Sequence, residues 1–268
     1  MIMNKVMGYL LIGASIITAA FTLEINKWRS VPQKVIQPGE FMKYRVHYGF
    51  INAGEATMAI SDDIHIMNGR PCYKVDVKGN STGLFDMITR VRDNWGTYLD
   101  TQAIVSQRFY QSIAEGRYRK KEIIDFDHQN KKAIVHRLDD HTGELIKKVD
   151  FEIPKYVQDI VSGYYYLRTF DFDTLDANEI FQLKGFYDDT TYHLNVQYLG
   201  TKKLKTKVGE YESIVISPIM PKNSFFSGKN PVKGYISNDE KKIPLKVKAE
   251  LLIGSIEIDI TEYRSGGK

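Results

Sequence analysis

Six histidines and a single cysteine are the first side chains to test for chemistry. His128, His136 and His141 lie close together among Asp125, Asp127, Asp139 and Asp140, a composition that invites a metal ion. Their spacing argues against one. His128 and His141 fall in turns at opposite ends of the strand expected to carry His136, and six or seven residues at about 3.3 Å each hold those turns roughly 20 Å apart. One ion cannot bridge that gap, so the three read as solvated turn residues. His47, His65 and His193 stand alone on strands. Cys72 opens a strand without a recognisable base beside it and reads as a structural thiol. The acid pairs Asp62-Asp63 and Asp188-Asp189 sit where turns are needed, which is ordinary work for Asp. Arg90, Arg92, Asp93 and Trp95, with Arg108, Glu115 and Arg117, could line an anionic-ligand site or form cross-strand ion pairs, and the ion pairs are favoured. The chain carries no nucleophile elbow or glycine-rich phosphate loop, and no cofactor or metal is expected.

The elements that would hold these residues are strands. Residues 91–99, 104–113 and 117–126 are rich in β-branched and aromatic types and are separated by Asp100-Thr101-Gln102 and Glu115-Gly116, which predicts a meander. Two further strands follow through 133–138 and 144–150. Ahead of the meander, residues 41–48 alternate, with Met42, Tyr44, Val46 and Tyr48 on one side and Lys43, Arg45 and His47 on the other. Asn68-Gly69 predicts a tight hairpin into the strand of Tyr73, Val75 and Val77. A short helix capped by Ser81 is expected to place Leu84, Phe85 and Ile88 on one face and plug an end of the sheet. The best helix in the body of the chain opens at Pro154 and runs over 157–170, where Val157, Ile160, Val161, Tyr164 and Leu167 recur at three- and four-residue spacing. Hairpins resume after a loop at 171–178. The irregular run 218–233, with Phe225-Phe226, is a candidate flap, and three strands close the chain.

That pattern yields roughly fifteen strands joined by tight turns, hence antiparallel neighbours. A sheet beyond about ten strands must curl or split. The expected fold is mainly β: a long, strongly curved antiparallel sheet, either half-barrel or wide sandwich, with one or two helices packed on it. Composition agrees, since 17 Tyr and 13 Phe against 2 Trp suit strands with one wet and one dry face. A formal charge of +4, without a basic block, speaks against nucleic acid. At the N-terminus, Lys5, the apolar run 6–21 and Thr18-Ala19-Ala20 read as a signal peptide, with a membrane anchor as the competing reading of 1–23. Membrane contact is expected only there, and only if the segment stays uncleaved. Residues 24–38 read as a tether, 39–264 as one β-rich domain and 265–268 as a disordered tail. The location expected is periplasmic or exported, possible anchoring to the inner membrane included.

The segments GEFMKYRVHYGFINAGEATMAI, VRDNWGTYLD, RFYQSIAEGRYRKKEIIDFD, QDIVSGYYYLRT and YLGTKKLKTKVGEYESIVISP resemble, in order, the bacterial family of domain of unknown function 3108. The resemblance covers most of 39–263 and implies an exported envelope protein, with no catalytic residues to carry over. The closing stretch SNDEKKIPLKVKAELLIGSIEIDITEYR also resembles the end of the curved-sheet lipoprotein carriers of the periplasm.

The functional expectation is non-enzymatic binding of a lipid or other apolar ligand in the curved sheet, with Trp95, Phe109, Tyr164, Phe225 and Phe226 as contacts. A second reading is a structural or assembly factor that meets an envelope protein partner through Phe225-Phe226. A hydrolase is the least favoured of the three.

Overall fold

The structure, a computed structural model, describes residues 28–220 and 226–267. Alternation becomes strand throughout the first half: β1 (Phe41–Tyr48), β2 (Ile51–Met67), β3 (Arg70–Ser81), β4 (Arg92–Asp100), β5 (Ser106–Glu115), β6 (Tyr118–Asp127), β7 (Lys132–Leu138) and β8 (Leu145–Glu152). The second half supplies β9 (Ile180–Tyr187), β10 (Thr190–Thr206), β11 (Gly209–Pro218), β12 (Val232–Ser237), β13 (Pro244–Glu250) and β14 (Ser255–Arg264). Two helices interrupt them, α1 (Gly83–Ile88) and α2 (Ile160–Leu167).

All fourteen strands belong to one antiparallel sheet in the order β8-β7-β6-β5-β4-β3-β2-β1-β14-β13-β12-β11-β10-β9. The two ends of the chain therefore meet in the middle of the sheet, where β1 pairs with β14 from Phe41↔Arg264 to Tyr48↔Ile256. The sheet edges are β8 and β9, consecutive in sequence and joined through α2. They do not pair, so the sheet curls without closing into a barrel. The backbone at Gln158 instead runs along the outer edge of β9, its N–H on Lys184 O at 2.9 Å and its carbonyl on the Phe186 N–H at 2.7 Å. Side chains complete the approach of the edges: the ring of Phe186 on β9 packs edge-on to Phe126 and against Phe151 on β8.

The register explains the core. Directly opposed partners Ile60, Val75, Thr97, Phe109, Ile124 and Val135 form one inward row across six strands. Burying such a row in a two-residue period sets the concave face as the dry one. Onto it lies α2, which touches β4 and β9 and buries Val161, Ser162 and Tyr165.

Three expectations need correction. The helix read as 157–170 is confined to Ile160–Leu167, because Asp159 caps it, accepting from Val161 N at 2.7 Å and Ser162 N at 2.6 Å. α1 plugs nothing: it buries no residue, and Ser81 is not its cap but donates to Asp86 Oδ1 at 2.6 Å. Asp62-Asp63 make no turn and lie inside β2 at its register shift. The turn reading of Asp188-Asp189 does hold, since both take positive φ (48° and 60°) between β9 and β10. Asn68-Gly69 do the same at 53° and 70°.

Strict alternation of the meander sorts its turns to two ends. The upper end carries β1–β2, β3–β4 with α1, β5–β6, β7–β8, β9–β10, β11–β12 and β13–β14. The lower end carries β2–β3, β4–β5, β6–β7, β10–β11 and β12–β13. Residues 28–38, the described part of the stretch read as a tether, lie along the lower end, with Arg29 donating to Ala103 O and Ile104 O and Ile36 fully buried. Gly267 N–H reaches Pro38 O there at 2.9 Å.

Candidate functional site

Most buried groups able to do chemistry are engaged among the described residues, although His128 Nδ1 and Tyr165 Oη have no hydrogen-bond partner there. Cys72 is fully buried, burial pushes its thiol up to about 12, and the thiol faces Arg70 O at 3.4 Å. A thiol held protonated is no nucleophile. Burial raises the Asp159 carboxyl, whose oxygens serve the α2 cap and accept from Thr97 Oγ1 at 2.7 Å. Arg168 and Glu40 form a paired, two-bond bridge at 2.7 Å for each bond, both side chains out of water. Burial alone would lower the guanidinium, but its hydrogen bonds to Glu40 outweigh that and leave Arg168 raised.

His128 corrects the solvated-turn reading, because it is 1% exposed. Its ring stacks on Phe126 and meets Trp28 edge-on. Nε2 lies 2.7 Å from Ser106 O, a carbonyl that can only accept, so Nε2 carries the proton. Desolvation lowers its pKa to about 4 and keeps the ring neutral. His136 faces Asp125 at 3.3 Å and His141 is largely exposed. Among the described residues, one group has metal-ligand spacing, His47 with Glu257 and Asp259. The Lys246 ammonium pairs with both carboxylates of that group, ion-paired to Glu257 and 3.0 Å from Asp259.

The sequence-predicted contacts divide between two places. Trp95, Phe109 and Tyr164 all join the large core cluster, where Phe109 is buried and Tyr164 Oη lies 3.0 Å from Tyr44 Oη. The concave side is filled by side chains there. Two concavities among the described residues lie elsewhere: about 350 Å³ at the β10–β11 hairpin, lined by Lys203, Leu204, Lys205, Glu210, Tyr211 and Glu212, and about 210 Å³ beside Lys34, Glu40 and Tyr263. Both have charged walls. Phe226 is at the upper end, bridged to Leu251, while Phe225 lies outside the described residues.

That upper end holds what the sequence reading missed. Phe50 at the β1–β2 turn is 99% exposed, Met87 on α1 85%, and Ile253 at the β13–β14 turn 80%. Leu84, Ile88 and Leu252 are exposed beside them. The three connections are neighbours in the sheet and are tied together: Tyr48 Oη donates to Ile253 O at 2.7 Å, and Thr82 N–H to Ala53 O at 3.0 Å. Arg90, Arg117 and Arg119 continue the same arc. Of the residues read as cross-strand ion pairs, Arg108 does pair across strands with Asp125 at 2.5 Å, and Arg92 holds Asp86 at 2.7 Å. Arg117 and Arg119 make no ion pair among the described residues, and Arg119 turns back onto the Gly116 and Tyr118 carbonyls. A signal for the rim existed in the sequence: Gly49-Phe50-Ile51 and Leu252-Ile253-Gly254 put apolar residues where a turn ordinarily takes polar ones.

An open, barrel-like curled sheet without an assembled catalytic cluster among the described residues defines the class of protein. Within it, the chain belongs to the family described as protein of unknown function DUF3108, whose profile matches residues 43–261. Its fold is similar to a β-barrel-like protein of domain of unknown function DUF1849 from Brucella abortus, at a TM-score of 0.55 and 10% identity over 85% of this chain and 98% of that one. A provisionally assigned lipoprotein from Parabacteroides distasonis aligns at 0.32 and 10% identity, over 89% of this chain and 100% of that one. A provisionally assigned exported protein with a YmcC-like fold from Bacteroides fragilis aligns at 0.33 and 8%, with the same coverage. No curated protein matches the chain.

Proposed function

We propose that this is an exported, non-enzymatic protein of the bacterial envelope that works by binding an apolar partner at the upper rim of its sheet. One observation carries the reading: three neighbouring connections at the same end each present apolar side chains to water. Exposing Phe50, Met87 and Ile253 forfeits roughly 1.5–3 kcal/mol of burial for each side chain, and six exposed apolar residues on three adjacent connections favour a partner that covers them. The rim is favoured over a ligand enclosed by the sheet because Phe109, Tyr165 and Phe186 fill the concave side. Export is supported by the apolar run after Lys5 and the small residues before Phe21.

The test is a photoreactive phenylalanine analogue placed at Met87 in an exporting host, with Lys202, exposed on β10, as the control position. An adduct from position 87 and none from 202 is expected in the envelope fraction. Equal yields at both, or none at 87, would overturn the rim as the binding surface.

A further inference from the structure

We infer that the upper rim docks on a lipid membrane bearing anionic headgroups, a proposal that rests on the rim being the binding surface. Its apolar part is made of separate tips. Phe50 belongs to β1–β2, Leu84, Met87 and Ile88 to α1, and Leu252 and Ile253 to β13–β14. Successive hairpins in a sheet stand about 10 Å apart, two strand spacings. Isolated tips at that separation offer a protein partner no continuous surface to pack against. A fluid acyl boundary closes around each of them, as it does around the apolar face of an interfacial helix.

The charge beside the tips selects the headgroup. Arg90 follows α1 directly, and its carbonyl accepts from Gly116 N–H at 2.8 Å, which joins the α1 connection to the β5–β6 turn that carries Arg117 and Arg119. All three arginines are exposed, and Tyr118 between the last two is exposed as well. The acids of the arc include Glu115, the buried Asp93 beside it, and Asp86. Asp86 is held by Arg92 and Ser81 and also pairs with Arg90 at 3.8 Å. Three exposed guanidinium groups beside the apolar tips, with a phenol between them, are the elements that hold a protein at a phosphate-bearing interface. Trp28, the first described residue, lies at the other end, where it meets His128.

The experiment places an environment-sensitive fluorophore on the full chain through Ile253→Cys, Cys72 being fully buried. Phosphatidylglycerol-containing vesicles, with and without nitroxide-bearing lipid, are compared with phosphatidylcholine vesicles. The label is expected to shift to the blue and to be quenched by the nitroxide only on the anionic vesicles. The triple variant Arg90→Gln, Arg117→Gln, Arg119→Gln should weaken that partitioning roughly hundredfold, with an unchanged melting curve. A label that stays in water while the protein sediments through its N-terminal run would overturn docking. Partitioning indifferent to the triple variant would overturn the anionic selection. If the label stays in water but position 87 still yields a protein adduct in cells, the rim reading survives and the lipid fails. If neither occurs, both fail together.

Discussion

His128 shows how one residue changes meaning when its neighbours are known. Its pKa of about 4 lies below the 6.5 of an unperturbed imidazole, so the folded protein stays unprotonated where the unfolded chain does not. Stability is accordingly full above pH 6.5, falls as pH drops through the window from 6.5 to about 4, and levels off below it. The loss across that window is on the order of 3 kcal/mol. Urea midpoints measured down this range should show it, and His128→Gln should remove that part of the slope while lowering stability at neutral pH through the lost ring packing. An unchanged slope in the variant would show that other groups carry the acid sensitivity.

Between neighbouring elements the tightest constraint is on β4 and β5. Gly96 stands opposite Tyr110, whose ring lies directly over the glycine and whose hydroxyl donates to Asp76. A methyl group at Gly96 would overlap the Tyr110 ring and hydroxyl. Gly96→Ala should therefore displace the ring, lose the Asp76 bond and cost about 1–3 kcal/mol. A thermal-melt cycle with Tyr110→Ala separates this from a simple propensity effect. The alanine should be tolerated, or mildly favourable, once the ring is gone. Equal costs in both backgrounds would mean that the ring is not the obstacle.

At the scale of the molecule, Arg168 ties together parts far apart in sequence. It leaves the end of α2, pairs with Glu40 just before β1, and donates to the Lys241 and Lys242 carbonyls of the β12–β13 connection at 3.0 Å each. Arg168→Met leaves Glu40 buried without its partner, which costs about 3–5 kcal/mol. For a domain of this size that lowers Tm by roughly 6–20 °C. Adding Glu40→Leu should recover a substantial part, since removing both charges removes the orphan. Calorimetry of the single and double variants decides it: a double variant no better than the single would place the loss in packing rather than charge.

The sequence by itself determined what depends on near neighbours. Alternation in Phe41–Tyr48 and in the meander marked the strands and their dry faces, because a two-residue period is set within each strand. Asn68-Gly69 and Asp188-Asp189 marked their turns, because positive φ is a local demand met by few residue types. Only the tertiary structure decided that β14 lies beside β1, a pairing between opposite ends of the chain to which no local pattern refers. It also decided which residues of similar type are hidden and which are not. His128 and His141 occupy turns at opposite ends of the sheet, yet one packs beneath Trp28 and the other faces water. Leu84 and Ile88 read as a buried face but are exposed among the described residues, because α1 lies against β2 while α2 is the helix that packs on β4 and β9. Burial is a property of what lies across the sheet, and curvature, set by all fourteen strands together, decides that.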